Sequence, residues 1–185
     1  MTQRRRTGVF GGSFDPPHLG HVALARLALQ SSQIDRLLIV PTYSHAFSKR
    51  MVGFEHRVKM CELAFVDLSR GTCLVSTIEE ELSGTSYTID TLALLRKEFP
   101  DDVFRLVVGG DIPEELHKWK CHEELQEIAP LLVIGRDGYS DGDLGVTVPN
   151  ISSSGIRLER QRGRHEAVGL PESVREYIRK HGLYS

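Results

Sequence analysis

Cysteine is scarce in this chain. Three occur in 185 residues, Cys61, Cys73 and Cys121, odd in number and far apart. No C-x-x-C pair is present, so neither a disulfide framework nor a zinc ribbon is expected, and the usage fits a reducing, cytoplasmic setting. Long apolar runs are missing too; none approaches the ~20 residues of a helical membrane span. The arginines Arg4-Arg5-Arg6 are followed by only a short apolar piece before Gly11-Gly12, so no secretory signal is expected. The sequon at Asn150-Ile151-Ser152 then reads as chance. Charge of one sign is not in excess: 25 acidic residues face 23 basic ones, for a net charge of -2. A polyanion-binding surface is therefore not expected, neither nucleic acid nor membrane is an expected partner, and any phosphate site must be local. The G-x-G-x-x-G dinucleotide fingerprint and the G-K-[ST] of a P-loop do not occur.

What is present is ordinary for a globular chain: 40% hydrophobic and 26% charged residues, which argues against disorder. The length predicts one domain over residues 1–185, or one with a small appendage; helix-like patterns mark the part from about 151 to 185. Strand-like runs are expected at Thr7–Phe10, Arg36–Val40, Cys73–Ile78, Val103–Val108 and Leu131–Ile134. Helices are expected at His18–Ser31, with Leu19, Val22, Ala23 and Leu27 on one side, and at Glu55–Val66, with Val58, Leu63 and Phe65 among its apolar positions. Two more are expected at Thr88–Glu98 and Pro171–His181. Strands alternating with helices predict an α/β fold, a Rossmann-like doubly wound parallel sheet with helices on both faces. Ligands in such sheets lie at the carboxyl ends of the strands. That rule singles out Gly11–His21, Pro41–Gly53, Gly109–Trp119 and Gly135–Gly138. The stretch Arg136–Asn150, rich in Gly and Asp, is expected to be a mobile flap.

The segment from Gly11 to His21 carries the strongest chemical signal. Gly11 and Gly12 let backbone approach a ligand. Pro17 suits a helix start, and His18 and His21, three apart, share a helix face at its positive end. Gly20 between them removes a side chain where a ligand could lie. The bland reading is a plain turn, with two surface histidines or a metal pair short of a third ligand. Asp15 reads equally as a helix cap or as a ligand contact. At Ser153, Ser154 and Arg157 the choice is between a phosphate site and an N-cap with a surface arginine. Trp119, the only tryptophan, is core or a ligand-facing ring; His117, Lys118 and Lys120 around it favour the second. Lys49, Arg50 and Arg57 meet phosphate or solvent. Cys61 and Cys73 read as core, and Arg4–Arg6 as a frayed arm.

The full string G-G-S-F-D-P-P-H-L-G-H resembles the H-x-G-H signature of the nucleotidylyltransferase superfamily, and Ile151-Ser152-Ser153-Ser154-Gly155-Ile156-Arg157 is similar to its I-S-S-T-x-I-R motif. Ser86-Tyr87-Thr88-Ile89-Asp90-Thr91-Leu92, the Gly109–Asp111 segment followed by Trp119, and Leu170-Pro171 through Tyr184 resemble the bacterial nicotinate-nucleotide adenylyltransferases. The resemblance implies transfer of the adenylyl group of ATP to nicotinate mononucleotide, with pyrophosphate leaving and Mg²⁺ accompanying ATP. It implies catalytic roles for His18 and His21. It places ATP on Gly11, Gly12, Ser13, Phe14, Gly109, Asp111, Arg136, Ile151, Ser153, Ser154 and Arg157, with the residues after 150 completing that site. The mononucleotide would meet Ser13, Phe14, His45, Lys49, Tyr87, Thr88 and Trp119. No protein metal site is expected, and homo-oligomerisation stays open. One stretch departs: where the family has P-x-x-P-P-H-K, this chain has Pro41-Thr42-Tyr43-Ser44-His45-Ala46-Phe47-Ser48-Lys49. The departure leaves the amidated mononucleotide open as acceptor. Separate alternatives are another member of the superfamily, such as a pantetheine-phosphate adenylyltransferase or a cytidylyltransferase, and a non-catalytic nucleotide-binding module, which has only the Arg4–Arg6 arm in its support.

Overall fold

In the computed structural model, residues 4–44, 51–69, 71–82, 84–164 and 168–185 are described. The expected positions His45, Lys49 and Arg50 lie outside them. The described elements run β1 (Arg6–Gly12), α1 (Leu19–Gln30), β2 (Arg36–Pro41), α2 (Phe54–Ala64), β3 (Cys73–Val75), α3 (Thr88–Glu98), β4 (Val103–Gly109), α4 (His122–Ile128), β5 (Leu131–Arg136), β6 (Thr147–Val148), α5 (Ser153–Gln161) and α6 (Glu172–Lys180). The strands form one sheet in the order β3-β2-β1-β4-β5-β6, every neighbouring pair parallel. The chain steps outward from β1 on one side and resumes at β4 on the other. The crevice at the carboxyl ends of β1 and β4 is thus the switch point where ligands settle in such sheets. The expected doubly wound fold is present.

The strands read as near-continuous apolar runs because both their faces are covered. Successive residues alternate between two cores. Phe10, Leu37, Ile39, Val107, Leu132 and Ile134 pack on one side with Leu24, Met60, Ile156 and Ile178. Val9, Leu38, Val40, Leu106 and Val108 pack on the other with Leu92, Leu95 and Leu125. Residues on α5 and α6 thus share the first core with residues on α1 and α2.

Several local expectations change. The strand at Cys73 ends at Val75, and a short helical turn, Ile78–Glu81, follows. The buried face of α1 is Gly20, Leu24, Ala25 and Ala28, whereas Leu19 is exposed. In α2 the buried set is Arg57, Met60, Cys61 and Ala64. Cys61 and Cys73 are buried, as expected. Arg4 and Arg6 are tethered rather than frayed: Arg4 Nε donates to Asp101 O at 3.2 Å, and Arg6 Nη2 meets Asp35 Oδ1 at 2.6 Å. The stretch 136–150 is not a free flap. Asp137 N donates to Val148 O at 3.0 Å, Asp143 N to Val133 O at 2.8 Å, and β6 pairs with β5. Gly135 permits this close approach, since a Cβ there would fall 2.6 Å from Val146 O. The Gly and Asp content that suggested mobility serves tight turns instead.

The amino ends of the strands carry a small polar cluster. Arg36 Nη2 donates to Asp102 Oδ2 at 2.7 Å and Arg36 Nε to Thr7 Oγ1 at 2.9 Å, while the guanidinium lies 4.0 Å from the Phe99 ring centre. Both charged side chains are about a tenth exposed. Asp102→Ala would leave Arg36 buried and unpaired, which costs ~3 kcal/mol. For a chain of this length that lowers Tm by roughly 6–12 °C. Because the cluster sits at the end of the sheet opposite the switch point, kcat measured well below Tm should stay unchanged. Calorimetry and a steady-state assay on the same sample check both halves.

Candidate active site

The turn after β1 builds one wall. Phe14 sits in the left-handed region (φ 46°) with its ring fully buried. It meets Phe10 edge-on at 5.4 Å, His21 at 4.9 Å and Phe65 at 6.1 Å between ring centres. A bulky residue at positive φ persists only where its surroundings hold it, and here backbone carbonyls on both sides are tied down. Arg57 Nη1 donates to Ser13 O at 2.9 Å and Arg57 Nε to Val52 O at 2.9 Å. Arg157 Nη1 donates to Asp15 O at 2.6 Å and Ser153 Oγ to Pro16 O at 2.9 Å. Arg57 is 1% exposed, so it neither meets solvent nor reaches outward to phosphate; it is the clamp beneath the turn. Asp15 does not cap α1. Its buried carboxylate accepts from Tyr184 Oη at 2.7 Å and from Val52 N at 3.2 Å.

The cap of α1 is His18. Its Nδ1 accepts from His21 N at 3.3 Å, and His21 Nδ1 accepts from His18 N at 3.2 Å, a reciprocal capping box made by two imidazoles. The rings stack at 3.6 Å between centres and 20° between planes. Gly20 makes room for this pair, because a Cβ there would lie 3.1 Å from His18 Nδ1, and it also lines the first of the cavities beside it. Burial, helped by the Arg136 charge, pushes the His18 pKa down to about 4. His21 is held well below the ordinary histidine value by burial, then by His18 and Arg136. Both rings are therefore neutral at pH 7. With each Nδ1 accepting a backbone N–H, the single ring proton resides on Nε2, which is left as a donor.

Two cavities flank the turn. The first, about 180 Å³, is lined by His18, His21, Gly109, Asp111, Arg136 and Ile151, among others. Arg136 ties its far wall together, donating to Asp111 Oδ2 at 2.9 Å and to Ile151 O at 2.8 Å. The second, about 350 Å³, is lined by Gly12, Ser13, Tyr87, Thr88, Lys118 and Lys120, with others. Gly11, Val107, Val108, Ile112 and Trp119 line both. A Cβ at Gly11 would meet nothing within 4 Å, so the cavities adjoin over an open glycine. Trp119 is half-buried, with one side against the second core.

Ser153, Ser154 and Arg157 open α5, but its cap is Ser152, whose side chain accepts from Gly155 N at 3.1 Å. Arg157 Nη2 donates to Ser154 Oγ at 3.1 Å. These residues brace the turn after β1, a role that the choice between phosphate site and surface arginine did not include. The amino end of α3 is held by Ser86 N donating to Ser44 O at 2.9 Å and Ser44 N to Ser86 Oγ at 3.2 Å. Glu79 locks the same corner, accepting from Tyr43 N at 2.9 Å and Thr91 Oγ1 at 2.7 Å. Sequence reasoning missed Glu79, because a Glu79-Glu80-Glu81 run reads as solvated charge, and Thr42 and Ile112, which carry no chemical signal. Tyr87 caps α3 without a side-chain bond, and the Lys120 ammonium stands 4.6 Å over its ring. Among the described residues, no group of three or more His, Cys, Asp or Glu is placed to hold a metal ion. No described helix is long and apolar enough to cross a membrane.

Residues 9–159 match the family model of cytidylyltransferase-like proteins. The chain is 35% identical over 180 residues to a "Probable nicotinate-nucleotide adenylyltransferase" of Myxococcus xanthus, covering 97% of this chain and 94% of that one. It is 39% identical over 186 residues to one of the same description from Thermus thermophilus, covering 97% and 99%. Among solved structures it is similar to the Plasmodium falciparum nicotinic acid mononucleotide adenylyltransferase complexed with NaAD, with a TM-score of 0.79, 20% identity and 97% of both chains covered. That last likeness concerns the fold. By the family model that it matches and its full-length relatives, the chain belongs to the cytidylyltransferase-like family and, within it, to the nicotinate-nucleotide adenylyltransferases.

Proposed function

We propose that this protein joins ATP to nicotinate mononucleotide, giving nicotinate adenine dinucleotide and pyrophosphate, as a step in NAD biosynthesis. The observation that carries the reading is the meeting of two cavities over the side-chain-free Gly11, beside a neutral, Nε2-donating histidine pair. ATP occupies the first cavity, its adenosine toward Asp111, Arg136 and Ile151. The mononucleotide occupies the second, its pyridine ring near Trp119 and its carboxylate at the amino end of α3. The two phosphates then face each other over Gly11. The acceptor phosphate is already an anion, so no general base is required. Catalysis rests on alignment and on stabilising charge at the α-phosphorus. The Nε2–H groups of His18 and His21 donate to the α-phosphoryl oxygens, and main-chain N–H groups of Gly12 and Ser13 contribute. Magnesium fits as a companion of the triphosphate, held by phosphate oxygens and water; the nearby carboxylate Asp111 is already paired with Arg136. The unpaired cysteines Cys61, Cys73 and Cys121 support a cytoplasmic setting.

The function is tested by pyrophosphate release from ATP with nicotinate or nicotinamide mononucleotide. The uncapped amino end of α3 offers N–H groups and positive dipole character to a carboxylate. An amide would leave a donor unsatisfied, at ~1–3 kcal/mol. Nicotinate mononucleotide should therefore be preferred by roughly ten-fold or more in kcat/KM; equal efficiencies, or preference for the amide, would overturn the assignment of acceptor.

Gly11→Val probes the junction. Its side chain enters open space, so the melting temperature should hold within a degree or two of wild type by the ordinary tolerance of such sites. Misplacing two reacting groups by about 1 Å costs on the order of 100-fold, and kcat/KM should fall by at least that. A variant that turns over normally would show that the phosphates do not meet there.

The histidine pair makes a pH prediction. The unfolded chain takes up protons near the ordinary histidine value of about 6.5, whereas folded His18 does so only near about 4. The ligand-free protein should thus lose stability as the pH falls from ~6.5 toward 4, and hold it above that window. Asn caps a helix well, so His18→Asn should make this acid limb of the Tm profile shallower, leaving the part due to His21, while losing ~100–1000-fold in kcat. Thermal scans across pH, with turnover at pH 7.5, check the two effects separately.

A further inference from the structure

Tyr184 stands outside both cavities, in the turn that follows α6. It has φ 59° and packs against the first core. Leu183 N donates to Ile178 O at 3.0 Å, which closes the end of the helix and fixes the direction in which the next residue leaves. The Tyr184 hydroxyl donates to Asp15 Oδ1 at 2.7 Å. Asp15 is 1% exposed, and among the described residues its Oδ2 has no hydrogen-bond partner, with Nη1 of the Arg157 guanidinium standing off at 3.6 Å. A buried carboxylate depends strongly on each donor it keeps. Asp15 directly follows Phe14, which holds a left-handed backbone and presses its ring on His21 at 4.9 Å.

An unbroken line of contacts therefore runs from Tyr184 through Asp15 and Phe14 to His21. Resting on the reading of the site given above, we propose that Tyr184 is a positioning residue: its hydroxyl, through the Asp15 carboxylate, fixes the turn that sets the histidine pair against the reacting phosphate. The hydroxyl touches no substrate in this arrangement. Its removal should act on the aligned state, seen in kcat, and little on the binding of either substrate. Burial and the Asp15 contact raise the Tyr184 pKa, so the hydroxyl keeps its proton across the working range and donates throughout.

The test is Tyr184→Phe in the full chain, assayed with ATP and nicotinate mononucleotide well below Tm, beside wild type. A hydrogen bond to a charged group is worth enough for a roughly ten-fold fall in kcat, with KM for each substrate within about two-fold. Asp15→Asn should lower kcat as well. The double variant should be no slower than the slower single one, because both changes break the same link. Normal kcat in Tyr184→Phe would overturn the proposal, as would losses that multiply in the double variant, or a lowered Tm with full turnover per folded molecule. Should Asp15→Asn fail to fold, the split between kcat and KM in Tyr184→Phe decides alone. Wild-type protein that makes no pyrophosphate would refute the functional reading itself, an outcome separate from any of these.

Discussion

His18 and His21 cap each other across the first turn of α1, and the catalytic end of the molecule is arranged around that reciprocal bond. A serine or aspartate would satisfy the same backbone N–H groups more cheaply. Two imidazoles add something a short side chain lacks: with Nδ1 committed to the backbone, the remaining proton has one place to reside. The stacked rings, His18 buried and His21 partly so, stay neutral, since two charges 3.6 Å apart in such a setting would repel strongly. Gly20 suits the same requirement, because a Cβ there would crowd the ring of His18 at 3.1 Å. The motif is thus a set of mutual steric and hydrogen-bonding demands, with the first cavity opening beside it.

The turn that delivers these histidines is held from behind. Carbonyls of Ser13, Asp15 and Pro16 are taken up by Arg57, Arg157 and Ser153, which come from α2 and α5. Helices distant in sequence are therefore recruited to fix six residues of backbone. This division of labour separates the two ends of the sheet. The buried Arg36–Asp102 pair holds the amino ends, while the carboxyl ends carry the chemistry and the positive-φ Phe14.

Much of this was legible in the sequence because it depends on local pattern. Apolar runs such as Leu37–Val40 announce strands covered on both faces, and their alternation with helical segments fixes the sheet type. The Gly11–His21 string announces its chemistry by its rarity. What was not legible depends on partners far away in the chain. Asp15 reads as a cap or a ligand contact from its neighbours, yet its donors are Val52 and Tyr184. Arg57 reads as meeting phosphate or solvent, yet it fills a buried slot under Ser13. The stretch 136–150 has the composition of a mobile loop, and only its pairing with β5 shows why those glycines and aspartates are there. Glu79 carries no mark that separates it from Glu80 and Glu81.

The sheet also ends in a telling way on both sides. Its outermost strands are the shortest: β3 has three residues and β6 has two. The long strands β1 and β4 lie innermost, each flanked on both sides by a parallel neighbour. An exposed strand edge is a template on which another chain can add hydrogen bonds and begin to aggregate. Here such a template is only a turn or so of pleat long at either margin. A foreign strand would find too few consecutive N–H and C=O groups to register against, so the apolar strands that make the core can be as sticky as packing demands without endangering solubility.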